Sequence, residues 1–318
     1  MNTIPSIFNQ RQVNRTILGG KEPMPFVKMN VSVVLLNGNG SQLRIPMIEN
    51  LVKCGFESII SIENNKENYN IIDFSQKFPF VKFIVPLEKV TDGELINIGI
   101  SESKSDYVLV IRDTISLDLE ILTGRIAEKL EELDIFCIVP RLKSHTIPAF
   151  PVSFSPIVEK SVFNVVSTSS VSDGQPTLYP FDKIGFYNKK KFIQLGGFDY
   201  TITTPYWQNL DLAFRAWLWG ERICLSTIFT LTYTDELPRD DLSINKSYNR
   251  FYMKNLLPRF NEDHGFIPKT SFFVYLLRSN YGIFESISQF SMAREWVFKN
   301  KYRFKYDAKY LIENWGNL

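Results

Sequence analysis

Histidine and cysteine are scarce in this chain, two and three residues among 318. His145 and His264 stand far apart and make no metal-ligand signature; His264 with Glu262 and Asp263 is a weak candidate, set against a solvated loop. Cys54, Cys137 and Cys224 are odd in number and form no Cys-x-x-Cys pair, so neither a zinc site nor a disulfide framework is indicated. Cys137 and Cys224 lie in apolar runs and read as core. Long hydrophobic stretches are missing too: nothing approaches the roughly 20 apolar residues of a membrane-crossing helix. The opening MNTIPSIFNQRQVNRT has no continuous apolar segment, so a secretory signal is not expected and a cytoplasmic setting is. The formal net charge of +2 is too small to indicate nucleic acid or an anionic membrane through bulk electrostatics. There is no internal repeat and no low-complexity tract.

What is present is apolar and aromatic. Hydrophobic residues make up 44% of the chain, enough for a well-buried core, and 26 Phe and 14 Tyr make that core aromatic-rich. Residues 1–28 are polar, with Gly19, Gly20, Pro23 and Pro25, and read as an arm. VSVVLL (31–36) is a buried strand closed by the turn Asn37-Gly-Asn-Gly. Residues 41–56 have helical spacing with Ser41 as N-cap, Pro46 in the first turn and Gly55 near the end. Strands follow at 57–62 and 81–86, then a helix at 91–104 with Thr91 and Glu94 spaced as a capping box. A strand at 107–111, a helix at 117–133 and a strand at 134–140 continue the alternation. Strands separated by helices imply βαβ units and a mainly parallel sheet, with ligands beyond the strands' carboxyl ends. Those ends are 37–40, 63–65 and 112–114. The Pro- and Ser-rich stretch 141–183 reads as a long loop with a β-excursion. A strand at 183–187, helices at 189–195 and 206–220, and a strand or strand pair at 222–233 come next. Residues 271–290 and 295–315 read as aromatic helices.

This order of segments resembles inverting family 2 glycosyltransferases of the GT-A fold over residues 31–255. The resemblance is carried by VSVVLLNGN (31–39), SIISIENN (58–65), GELINIGISESKSDYVLVIRDT (93–114), and KIGFYNKKKFIQLGGFD with WQNLDLAFRAWLWGERI (183–223). It implies an α/β fold with a mixed, mainly parallel sheet. Residues 1–28 would form the arm, 29–235 the GT-A domain and 236–318 a helical extension. The implied chemistry moves a sugar from a nucleotide-diphosphate donor to an acceptor hydroxyl. An Asp-x-Asp motif holds a divalent cation on the diphosphate, and a Glu-Asp carboxylate takes the acceptor proton.

The sequence departs from that pattern at separate positions. Arg112-Asp113-Thr114 stands at Asp-x-Asp, Gln208-Asn209 at Glu-Asp, and Thr232-Tyr233-Thr234-Asp235 where a histidine is common; Ile96 replaces the basic residue before Asn97. Amides cannot accept a proton as carboxylates do. The resemblance places Asn37, Asn39, Glu63, Asn97, Arg112 and Asp113 against the donor. Asn37 and Asn39 read equally as turn formers, and Glu63 as a solvated acid. Arg112 either replaces the cation on the diphosphate or pairs with Asp113 or Asp211. Asp113 either holds Mg or Mn weakly or forms the turn, so no metal is required. Asp211, then Asp199, are the remaining candidates for the base, although Asp211 also suits an intrahelical pair with Arg215.

The first expectation is therefore a glycosyltransferase acting on a glycan or protein acceptor with little metal. The second is a catalytically degenerate protein of the same fold that binds a nucleotide sugar, a glycan or a protein. A nucleotidyltransferase is disfavoured, because the first turn lacks a Gly-rich loop with Lys or Arg. The aromatic C-terminal helices suit packing on the domain, a homodimer or peripheral membrane contact.

Overall fold

The structure, a computed structural model, describes residues 11–37, 44–63, 71–116, 122–147, 150–160, 162–234, 236–279 and 281–317. The first half alternates β1 (Arg15–Gly19), β2 (Met29–Asn37), α1 (Arg44–Cys54), β3 (Phe56–Glu63), α2 (Ile71–Lys77), β4 (Lys82–Pro86), α3 (Asp92–Glu102), β5 (Tyr107–Arg112), β6 (Ile115–Ser116), α4 (Gly124–Glu132) and β7 (Cys137–Ser144). Then come β8 (Ser153–Glu159), β9 (Val162–Thr168), β10 (Gly185–Asn188), α5 (Lys189–Leu195), α6 (Pro205–Leu218) and β11 (Ile223–Tyr233). The C-terminal part holds α7 (Lys246–Phe251), a π-helical turn (Tyr252–Leu256), β12 (Arg259–Asn261), β13 (His264–Phe266), α8 (Ser271–Arg278), α9 (Ile283–Lys299) and α10 (Ala308–Glu313).

One nine-stranded sheet runs β1-β4-β3-β2-β5-β10-β7-β11-β6. The block β4-β3-β2-β5 and the pair β7-β11 are parallel. β10 enters antiparallel between β5 and β7. β2 reads MNVSVVLLN without alternation because both its faces are covered. Gly55 ends α1 at φ +81°, and a Cβ there would meet Lys28 at 3.0 Å. The capping box of Thr91 and Glu94 forms as expected at the start of α3.

The β-excursion expected in the 141–183 loop is the β8–β9 hairpin, a separate two-stranded sheet. Of the two forms left open for residues 222–233, the structure has one strand, with a register irregularity between Ser226 and Thr230. Two expectations are corrected. The arm contributes β1, which pairs along the edge of β4 through Arg15, Thr16, Ile17 and Leu18. The helix at 271–290 is two helices: α8 stops with Ser279 extended, and α9 restarts after Gly282. Ser41 lies outside the described residues, as do 117–121 of the expected 117–133 helix.

α6 is buried along Trp207–Leu218, including Gln208, Asn209, Asp211 and Arg215. A helix buried all round must find internal partners for its polar side chains. Lys254, in the π-turn, supplies one: its Nζ lies 2.9 Å from Asp199 Oδ2 and 2.9 Å from Asp211 Oδ1. Arg250 Nε adds 3.2 Å to Asp199, Arg215 Nη1 stands 3.4 Å from Asp211, and Asn255 Nδ2 donates to Asp211 Oδ1 at 2.8 Å. Burial alone raises the Asp199 carboxyl, but the Lys254 and Arg250 charges more than reverse this and hold it well below the usual range.

Lys254→Met leaves two buried carboxylates short of a cation, and the unfolding free energy from denaturant titration is expected to fall by about 3–5 kcal/mol at neutral pH. The Asp199 contribution is complete above its unfolded value of about 3.9 and is lost as pH falls below it. The gap between parent and variant should therefore narrow under acid; a gap that widens below that pH would reverse the assignment.

Candidate active site

The carboxyl ends of the parallel strands share one edge of the sheet. Asn37 stands opposite Glu63, and Leu36 opposite Arg112. Asn37 Nδ2 donates to Ser61 Oγ at 2.7 Å and to Glu63 Oε1 at 3.1 Å, while Ser61 Oγ donates to the same oxygen at 2.8 Å. The first-turn amide and the acid of the second strand are thus brought together and buried. Asn39 lies outside the described residues.

Next to them, over the end of β5, opens a cleft of about 730 Å³. Arg112, Asp113 and Thr114 line it from β5, and Asp92 from the first turn of α3. Tyr179, Phe181 and Tyr206 make an aromatic wall with Phe154 and Tyr233. Phe154 stacks on Tyr179 at 4.3 Å between centroids, and Tyr179 meets Tyr206 edge-on at 6.1 Å. Glu236, Arg239, Asp240 and Asp241 line the segment after β11. Six carboxylates thus face three cations, Arg112, Lys183 and Arg239.

Arg112 is in the cleft, but its partners are neither Asp113 nor Asp211. Its Nη2 lies 2.7 Å from Asp92 Oδ2, and its Nε 2.8 Å from Asp182 Oδ1. Burial raises the Asp92 carboxyl, and the charges of Arg112 and Lys183 outweigh that, so it is held below its ordinary value. Asp182 and Lys183 take consecutive left-handed conformations, φ +49° and +63°. Such backbone costs about 1–3 kcal/mol per residue and persists only where surroundings enforce it. Here Asp182 is held by Arg112 and by the Tyr233 hydroxyl, which donates to its Oδ2 at 3.3 Å. Burial and the neighbouring Asp182 push the Tyr233 phenol up to about 12. Lys183 is buried at the bottom of this cluster, where burial and Arg112 lower its ammonium against the pull of Asp92, Asp182 and Asp240. Asp240 lies on the exposed segment after β11, where partial desolvation and Asp182 push its carboxyl up against the pull of Lys183.

The other sequence candidates sit elsewhere. Asn97 is spent on Phe198: its Nδ2 donates to the Phe198 carbonyl at 2.9 Å, and its Oδ1 accepts the Phe198 N–H at 2.9 Å. Asp199 and Asp211 belong to the Lys254 cluster and are not among the residues lining the cleft. The intrahelical pair between Asp211 and Arg215 does form. Gln208 Nε2 donates to Thr91 Oγ1 at 2.8 Å and to the Asp199 carbonyl at 3.0 Å, and Asn209 Nδ2 donates to the Pro180 carbonyl at 2.8 Å. Asp92, Asp182, Lys183 and Asp240 are cleft residues that the sequence reading missed. The one local signal was Phe181-Asp182-Lys183 directly before a strand, which pattern alone does not distinguish from a turn.

The position where the resemblance puts a divalent cation is occupied differently. The Arg112 guanidinium already spans Asp92 and Asp182, and Thr114 is neutral. Among the described residues no group of three His, Cys, Asp or Glu can hold a metal ion. His264 pairs with Asp263 at 2.9 Å in the exposed β12–β13 turn.

No protein-family model and no curated protein sequence matches the chain. Solved structures do. GalNAc-T7 with UDP, GalNAc and Mn2+ superposes with TM-score 0.56 at 13% identity, over 92% of this chain and 58% of that one. S. aureus TarS 1-349 gives TM-score 0.51 at 12% identity, over 85% of this chain and 72% of that one. Its complex with UDP gives 0.51 at 11%, over 83% and 70%. This chain thus spans 58% of the length of GalNAc-T7 in that structure. At these identities the likeness is one of fold: the mixed, largely parallel sheet is that of the GT-A fold.

Arg112→Met leaves Asp92 and Asp182 facing each other without their shared cation. Unfolding in denaturant at neutral pH is expected to show a loss of about 3 kcal/mol. Arg112→Lys should recover only part, because an ammonium cannot span both carboxylates as a planar guanidinium does. A methionine variant as stable as the parent would show that the bridge contributes nothing.

Proposed function

We propose that this chain is a glycosyltransferase-like protein that moves a sugar from a nucleotide-diphosphate donor to a glycan or protein acceptor, with little dependence on a metal ion. The observation carrying this reading is the pair of cations, half-buried Arg112 and buried Lys183, at the carboxyl edge of a GT-A sheet, where the resemblance puts the cation-binding motif. Two of the similar structures named above contain UDP, and one of these contains Mn2+ as well. On this reading a donor diphosphate displaces one carboxylate from Arg112 and takes its charge-assisted hydrogen bonds. The acceptor oxygen then bonds to the anomeric carbon as the bond to the diphosphate breaks, and the acceptor proton passes to a carboxylate. We assign that carboxylate to Asp240, which lines the cleft from the exposed segment after β11 and whose carboxyl is pushed up by partial desolvation there. Asp199 and Asp211 are left to the Lys254 cluster, where paired cations reduce their basicity. Asn37 and Glu63 stay with the nucleotide in this proposal, and Asp113 with the sugar or diphosphate.

The second reading, a binding protein without turnover, is favoured by a different observation. Six acids and an aromatic wall suit sugar hydroxyls and sugar faces better than an anion. The two readings part on turnover, which donor binding must precede. UDP- and GDP-sugars titrated calorimetrically without metal should bind the parent, and Arg112→Gln should lose about tenfold or more, as expected for charge-assisted contacts of about 1.5–3 kcal/mol. Asp240→Asn should leave donor affinity intact while abolishing transfer or donor hydrolysis. If no donor binds and free glycans do, the binding reading replaces the enzyme.

A further inference from the structure

We infer that the tip of the α8–α9 hairpin docks on an anionic lipid bilayer. The two helices pack through Phe272 and Tyr275 on Phe290, with ring centroids 5.3 and 6.1 Å apart, and through Ser279 Oγ against Ser286 Oγ at 3.0 Å. The packed faces use up those rings and leave others pointing away. Phe273, Val274 and Leu277 share one face of α8, and Ile283, Phe284 and Ile287 one face of α9 near its start. All six are exposed, Leu277 at 88% and Phe284 at 90%. Large apolar side chains concentrated around one turn are unlike the scattered exposed residues of an ordinary surface. They form the wedge that an interfacial helix sets into the boundary between headgroups and acyl chains.

The charge around the wedge selects the partner. Arg278 is exposed at the end of α8, 5.7 Å from the Tyr252 ring centroid. Lys246, its side chain 80% exposed, stands over Tyr281 at 5.6 Å and loosely pairs with Glu285 at 3.7 Å. Residues 236–318 carry thirteen Lys and Arg against nine Asp and Glu, whereas the rest of the chain carries 23 against 25. The small net charge of the whole chain therefore hides a basic C-terminal part. Basic residues beside an apolar wedge match anionic headgroups. A second copy of the chain fits less well: in a two-fold contact the same patch is on both sides, so one basic rim faces another.

The test is flotation of the full-length chain with phosphatidylcholine vesicles, pure or doped with phosphatidylglycerol. Binding to the doped vesicles, weakened by added salt, is expected. The double variant Leu277→Asp, Phe284→Asp should lower partitioning at least about tenfold. Lys246→Glu with Arg278→Glu should abolish the preference for the anionic lipid. Val158→Asp removes an exposed apolar side chain on the β8–β9 hairpin, away from the wedge, and should change nothing. All these positions are exposed, so unfolding midpoints close to the parent's confirm that the variants fold. Partitioning no better than with pure phosphatidylcholine, or unaffected by the Leu277 and Phe284 changes, overturns the inference. So does a concentration-dependent dimer in light scattering that the same double variant dissolves, which would assign the tip to a second copy.

Discussion

The Lys254 ammonium, enclosed between the carboxylates of Asp199 and Asp211, joins three parts of the chain that sequence places far apart. Asp199 belongs to the loop before α6, Asp211 to α6 itself, and Lys254 to the π-turn beyond the sheet. From that point a run of hydrogen bonds leads to the cleft. The Asp199 carbonyl accepts from Gln208, Gln208 donates to Thr91, and its Oε1 accepts the Gly93 N–H at 3.0 Å. Thr91 caps α3, and the following residue, Asp92, holds Arg112. The C-terminal helices are therefore built into the same polar framework that sets the floor of the cleft.

That framework gives Gln208 a meaning its sequence position did not suggest. Set beside glycosyltransferases it reads as a lost carboxylate. In the structure its amide both donates and accepts, to Thr91, the Asp199 carbonyl and the Gly93 N–H. A carboxylate can only accept, so the two donated bonds would have no source. Gly93 is fitted to this spot as well, since a Cβ there would lie 2.6 Å from the Gln208 side chain. The amide and the glycine fit each other in a way that serves architecture.

The alternation of strands and helices was legible because it is local: an unbroken β-branched run such as 31–36, or a Thr91–Glu94 capping box, announces itself within a few residues. The C-terminal edge of the sheet followed from that order, and with it the neighbourhood of Asn37, Glu63 and Arg112. What was not legible depended on partners distant in sequence. Asp92 and Asp182 meet Arg112 from 20 and 70 positions away. Asp199 and Asp211 looked available because the lysine that occupies them lies 55 and 43 residues on. The break between α8 and α9 was hidden by continuous apolar spacing, and the β1 strand by a polar stretch whose pairing depends on an exposed sheet edge.

The π-turn at Tyr252–Leu256 closes with the Leu257 N–H on the Tyr252 carbonyl, five residues back, at 3.0 Å. Such a turn fits one residue more than an α-helix would in the same span. Both Lys254 and Asn255 reach Asp211 from it, two adjacent side chains directed at one carboxylate. Deleting a single residue here would let the segment relax to a regular α-helix, and every side chain beyond the deletion would turn by about 100° about the axis. The ammonium would swing out of the interior although its lysine was still encoded. For this segment length is as strict a requirement as composition, and homologous chains that keep the ion cluster should preserve the number of residues between Asn245 and Leu257 even where they change the letters.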